Sequence, residues 1–133
     1  MFGKSVKPMS KIDSLIGTGT TIEGSIVFSG GLRVDGEIRG NVKSSDEHQG
    51  TLVVSENARI EGAVDVPHLV VNGAVVGPLR STVSLELQPK ARVTGDVEYC
   101  AIEIHLGAIV EGRLVHSGTA STRAVELKLA SAR

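Results

Sequence analysis

The chain has no tryptophan, one tyrosine (Tyr99) and two phenylalanines (Phe2 and Phe28) among 133 residues. Without rings, a core must be packed by valine, isoleucine and leucine, and at 41 % hydrophobic residues there are enough of them to build one domain. Cysteine occurs once, at Cys100, so no disulfide can close within the chain. A reducing compartment is the natural setting, and the thiol is expected to pack as a small core hydrophobe. No apolar run approaches the roughly 18 residues of a membrane span, and no signal-peptide core follows the first residues. A soluble, cytoplasmic protein is expected.

Charge is also nearly absent as a net quantity, at −1. Both ends are basic: Lys4, Lys7 and Lys11 stand against Asp13, and Arg123, Lys128 and Arg133 against Glu126. The middle holds the acidic excess. Nucleic acid is therefore not an expected partner, because binding it takes a basic surface and usually stacking aromatics.

What is present is a repeat. Glycine outnumbers proline 16 to 4, and much of it falls in a recurring unit: apolar, any, Gly, any, apolar. The unit appears at Ile22 to Ile26, Val34 to Ile38, Ile60 to Val64, Val71 to Val75, Val93 to Val97 and Val110 to Leu114. Two copies run on, through Gly40 to Val42 and through Gly77 to Leu79. Alternation of apolar and polar residues is the pattern of a half-buried strand, and an amphipathic helix would need spacings of three and four. On this reading Ile22, Gly24 and Ile26 share the inner face of one strand.

The longer spacing sets the architecture. Gly62 to Gly95 is nearly twice the step from Gly95 to Gly112. These steps fit two coils and one coil of a solenoid with roughly 17 residues per turn. Residues 17–118 then make about six coils of short parallel strands, with polar residues 43–50 bulging as a loop and Pro67, Pro78 and Pro89 at corners. Residues 1–16 and 119–133 lack the repeat and are expected to be flexible tails.

The ladder of these units, and above all the stretch Gly30-Gly31-Leu32-Arg33-Val34-Asp35-Gly36-Glu37-Ile38-Arg39-Gly40-Asn41-Val42, resembles the bactofilins, bacterial polymer-forming cytoskeletal proteins. The resemblance covers about residues 15–118. It implies an all-β fold, a single right-handed parallel β-helix with disordered termini. It also implies subunits that join end to end into filaments without a nucleotide or other cofactor.

Elementary physics makes that assembly reasonable. A solenoid has two open ends, each exposing unpaired N–H and C=O groups above an apolar lumen, and most monomeric solenoids cap them. About ten backbone hydrogen bonds at ~1 kcal/mol each would offset much of the ~4–15 kcal/mol cost of association. The candidate interface residues are Ile16, Ile22, Ile26 and Phe28 at one end, and Val110, Leu114 and Val115 at the other.

The start, Met1-Phe2-Gly3-Lys4-Ser5-Val6-Lys7, is similar to the membrane-targeting peptide of many bactofilins. On that resemblance Phe2, beside Met1, is expected to insert at the headgroup boundary while Lys4 and Lys7 meet anionic lipid at ~1 kcal/mol each, and a filament would multiply the weak contact. The expected partners are thus further copies of the chain, lipids at the inner face of the cytoplasmic membrane, and cell-wall synthesis or hydrolase proteins. The expected role is a scaffold that influences cell shape.

Catalytic and metal-binding motifs are missing. His48, His68, His105 and His116 show no compact ligand spacing, and there is no phosphate loop or nucleophile elbow. Outward carboxylates such as Glu23, Asp35, Glu61 and Glu111 read as a solvated face. Two other classes remain. A hexapeptide-repeat enzyme of the acyltransferase or γ-carbonic anhydrase type shares the β-helix, but Gly24, Gly36, Gly62, Gly73, Gly95 and Gly112 step unevenly and lack its steady rhythm. An adaptor solenoid would bind a partner along one flank without polymerising.

Overall fold

A computed structural model describes residues 12–45 and 49–117. In chain order its strands are β1 (Ser14–Ile16), β2 (Thr21–Glu23), β3 (Ile26–Phe28), β4 (Gly31–Val34), β5 (Glu37–Arg39), β6 (Val42–Ser44), β7 (Thr51–Val54) and β8 (Arg59–Glu61). They continue as β9 (Val64–Val71), β10 (Ala74–Val76), β11 (Leu79–Leu87), β12 (Arg92–Thr94), β13 (Val97–Tyr99), β14 (Ile102–Ile104), β15 (Ile109–Glu111) and β16 (Leu114–His116). The described residues contain no helix.

The strands wind as six coils, each laying one short segment on each of three faces. The first face stacks β1, β4, β7, residues 68–71 of β9, residues 84–87 of β11, and β14, all parallel. The second stacks β2, β5, β8, β10, β12 and β15. The third stacks β3, β6, the starts of β9 and β11, then β13 and β16. β9 and β11 run through a corner and join the first and third faces into one ladder. At about 4.8 Å between neighbouring strands, six coils make a rod roughly 25–30 Å long.

The faces send rows of apolar side chains into the lumen, two of them on the first face, where Leu52 and Val54, Leu69 and Val71, and Leu85 and Leu87 are all buried. Ile38, Ile60, Val75 and Val93 are paired one above another on the second face and are almost completely buried. Leu52, Leu69 and Leu85 do the same on the first. Each such side chain contributes roughly 1.5–3 kcal/mol on leaving water. The steps along the second face, from Ile60 to Val75, on to Val93 and on to Val110, are unequal. The expected coil length therefore holds on average rather than coil by coil.

The reason lies in the corners. Between first and second faces, coils two and four turn through a single pair (Asp35-Gly36 and Asn72-Gly73), whereas the other coils take a wider turn. Gly36 and Gly73 therefore belong to a different corner from Gly24, Gly40, Gly62, Gly77, Gly95 and Gly112, which stack between second and third faces. The repeat unit around Gly24 is two strands meeting at a bend, with Gly24 and Ser25 both exposed, not one continuous strand as its alternation suggests.

Three further differences from the sequence reading concern two boundaries and the place of Cys100. β1 adds residues 14–16 to the coils. Lys43 and Ser44 lie in β6 rather than in the polar loop. Cys100 sits half-exposed in the bend between β13 and β14 instead of in the core. Pro67, Pro78 and Pro89 all fall at corners, where a missing N–H costs no ladder bond.

Candidate functional site

The two ends of the rod are the places where the ladder stops. β1, β2 and β3 pair only with the coil above, and β14, β15 and β16 only with the coil below. Nothing among the described residues covers either edge. Each end thus presents three short rows of backbone donors and acceptors around an apolar centre.

The ends differ in how much of that centre is open. At the C-terminal end Leu114 and Ile104, which close the lumen rows of the third and first faces, are each 46 % exposed. Val110 closes the row of the second face and is half-buried. At the N-terminal end Ile22 and Ile26 are half-buried, but Ile16 and Phe28 are only 9 % exposed and belong to the core cluster. Phe28 is the large ring of the first coil, paired with Ser44 in the coil above.

Of the residues proposed from sequence, Ile22, Ile26, Val110 and Leu114 therefore stand at the end faces, and Ile16 and Phe28 lie just inside one of them. Val115 is elsewhere. It pairs with Glu98, next to Arg80 and Asp65 in the outward row of the third face, and so lies on the flank. Ile102 and Ile104 escape the sequence reading, although each lies one coil beyond a buried leucine, Leu85 and Leu87 respectively. Met1, Phe2, Lys4 and Lys7 lie outside the described residues.

The flanks carry paired charge. Arg39 Nε meets Glu37 at 3.0 Å and its guanidinium reaches Glu23 on the next coil at 3.5 Å; Arg59 meets Glu61 at 2.7 Å. Arg80 lies between Asp65 and Glu98 at 3.7 and 3.9 Å. The carboxyls of Asp35 and Asp96 are held below the usual carboxylate range. Asp35 is lowered chiefly by a hydrogen bond from the Ser55 hydroxyl, with Arg33 adding to it. Asp96 is lowered chiefly by the Arg113 backbone N–H, which its Oδ1 accepts at 3.1 Å.

The described histidines, His68, His105 and His116, are spread along the rod. His68 Nδ1 lies 2.9 Å from Ser84 Oγ. His116 stacks obliquely on Tyr99 and donates to the Cys100 carbonyl at 3.0 Å. His48 is outside the described residues. His105 is drawn to two glutamates, Glu86 and Glu103.

Residues 14–115 match the family model for bactofilin, described as polymer-forming cytoskeletal. The chain belongs to the bactofilin family. Among curated relatives it is 31 % identical over 113 residues to bactofilin BacP of Myxococcus xanthus. That match covers 84 % of this chain but 45 % of the relative, so the chain spans under half of that protein's length. Two solved bactofilin structures share the fold. One is a cryo-EM reconstruction of Thermus thermophilus bactofilin double helical filaments (TM-score 0.65, 26 % identity, 78 % of this chain and 99 % of that one). The other is the cytoskeletal bactofilin BacA seen by solid-state NMR (TM-score 0.64, 28 % identity, 80 % and 98 %).

Proposed function

We propose that this chain is the subunit of a nucleotide-independent filament, whose copies add end to end through the open ladders of the first and last coils. Residues Ile22, Ile26, Val110 and Leu114 form the contact, with Ile16 and Phe28 supporting it from just inside. The filament lies at the inner face of the cytoplasmic membrane, held by Met1, Phe2, Lys4 and Lys7 of many subunits. It acts as a structural scaffold rather than an enzyme, localising cell-wall synthesis or remodelling proteins and influencing cell shape.

The observation that carries the assembly is the pair of coil ends that no described residue covers. Burial of an exposed lumen residue such as Leu114 against a second copy adds about 25 cal/mol per Å² to the new backbone bonds, and the filamentous Thermus thermophilus relative supports the same reading. The membrane and cell-wall parts rest on the resemblance of the N-terminal peptide and on the family's cytoskeletal character.

Negative-stain microscopy of the purified chain without nucleotide is the test. Long thin filaments are expected. A discrete trimer, or a monomer at all ordinary salt and pH, would overturn the proposal.

A further inference from the structure

We propose that Glu86, Glu103 and His105 form a binding site for one zinc ion on the flank of the last two coils. β11 and β14 place Glu86 and Glu103 directly opposite each other, so two carboxylates stack on consecutive coils in the outward row of the first face. Like charges so placed destabilise a strand pair. Several outward acidic side chains elsewhere on the rod are answered by a fixed cation: Asp65 and Glu98 by Arg80, Asp96 by Arg113. Among the described residues, neither Glu86 nor Glu103 has an arginine or lysine partner; the group set against both is an imidazole.

The geometry suits a metal. His105 Nε2 is 3.1 Å from Glu86 Oε2 and 3.3 Å from Glu103 Oε2, and the three ligand atoms all lie within 4.8 Å of one another. Zinc bound to nitrogen and oxygen at about 2.0–2.2 Å sets the edge of its tetrahedron at about 3.3–3.6 Å, so the two separations from His105 to the glutamates are already near ligand spacing. Gln88 Nε2 donates to Glu86 Oε2 at 3.2 Å and orients that carboxylate, as outer-shell donors do around metal ligands. Glu86 and His105 keep about a third of their side chains exposed, at 35 and 38 %; that leaves an entry path and a fourth position for water. One imidazole with two carboxylates selects zinc over magnesium and calcium, which prefer oxygen throughout.

The same distances would arise if a protonated His105 merely bridged two glutamates. Calorimetric titration of the metal-stripped full chain with zinc separates the two, with cobalt(II) substituted to read coordination from visible absorption. The expected result is one saturable zinc per chain and tetrahedral cobalt bands. His105→Ala and Glu86→Gln should each weaken binding by roughly tenfold or more, while His116→Ala leaves it unchanged. Absence of saturable binding, or wild-type affinity in His105→Ala and Glu86→Gln, overturns the site. Circular dichroism distinguishes a lost site from a lost fold, and Glu103→Gln, at a side chain 70 % exposed, supplies a variant with little structural burden.

Discussion

Gly95 rests on the carbonyl of Gly77 one coil below: a β-carbon on Gly95 would come within 2.6 Å of that oxygen, at a backbone φ of +136°. The same contact repeats along the corner, Gly112 on Gly95, Gly77 on Gly62, Gly62 on Gly40 and Gly40 on Gly24. Gly95→Ala is therefore expected to lower stability by about 2–4 kcal/mol, backbone strain and overpacking acting together. Gly24, at φ +132° but with open space around it, should show only the strain, about 1–2 kcal/mol. Urea unfolding midpoints of the two variants check the difference.

A charge at either end of the rod should have unequal effects. Leu114→Arg is expected to abolish filament pelleting while shifting stability by no more than about 1 kcal/mol, because the side chain is already half in solvent. Phe28→Arg removes a buried ring and should cost about 3–5 kcal/mol, unfolding the first coil with the interface. Sedimentation alongside circular dichroism reads both; intact filaments of Leu114→Arg would count against the C-terminal contact.

Asp96 gives a pH dependence of known sign. Its folded-state pKa is depressed, so its contribution is present above the unfolded value of about 3.9 and disappears as pH falls through the lower folded value. Asn41 Oδ1 accepts the Ala63 N–H at 3.0 Å in the equivalent place lower on the same corner. Asp96→Asn should thus keep the bond to Arg113 and lose this part of the acid sensitivity, measured by comparing urea midpoints at neutral and acid pH.

The outward ion pairs should matter little one at a time. Arg59→Ala, which removes the 2.7 Å contact to Glu61, is expected to cost about 0.5 kcal/mol or less. A loss several times larger in thermal unfolding would mean that the charged rows act as a coupled network.

Deletion of residues 1–8 should abolish co-sedimentation with anionic liposomes and leave filaments intact. Retained liposome binding would move the membrane contact elsewhere on the chain.

Much of the fold can be read from the sequence because a solenoid writes its geometry as a period. Gly95 to Gly112 is one coil, and Gly62 to Gly95 is a short coil and a long one, with Gly77 between them. What misleads is the likeness of Gly36 and Gly73 to the others. All sit between apolar neighbours, yet these two avoid the carbonyls of Thr20 and Ser55 at another corner, and only three-dimensional stacking tells the corners apart.

The end faces are half legible. Alternation separates inward from outward within a strand, but the phase resets at each bend, which is why Val115 is easily grouped with Leu114 although the two point to opposite sides. Glu86 and Glu103, one coil length apart, are open to the same arithmetic as Ile102 and Ile104. His105 joins them from the corner beyond β14, a position no ligand spacing would flag.

The link between second and third coils has a consequence for engineering. The Ser45 N–H donates to the Phe28 carbonyl and the Thr51 N–H to the Gly30 carbonyl, so the chain is back in step with its neighbour on both sides of the segment 46–50. Extra residues placed between those two bonds leave the stacking of the coils on either side as it is. A fluorescent insert at that point would decorate the side of a fibre and leave the distance from one subunit to the next unchanged.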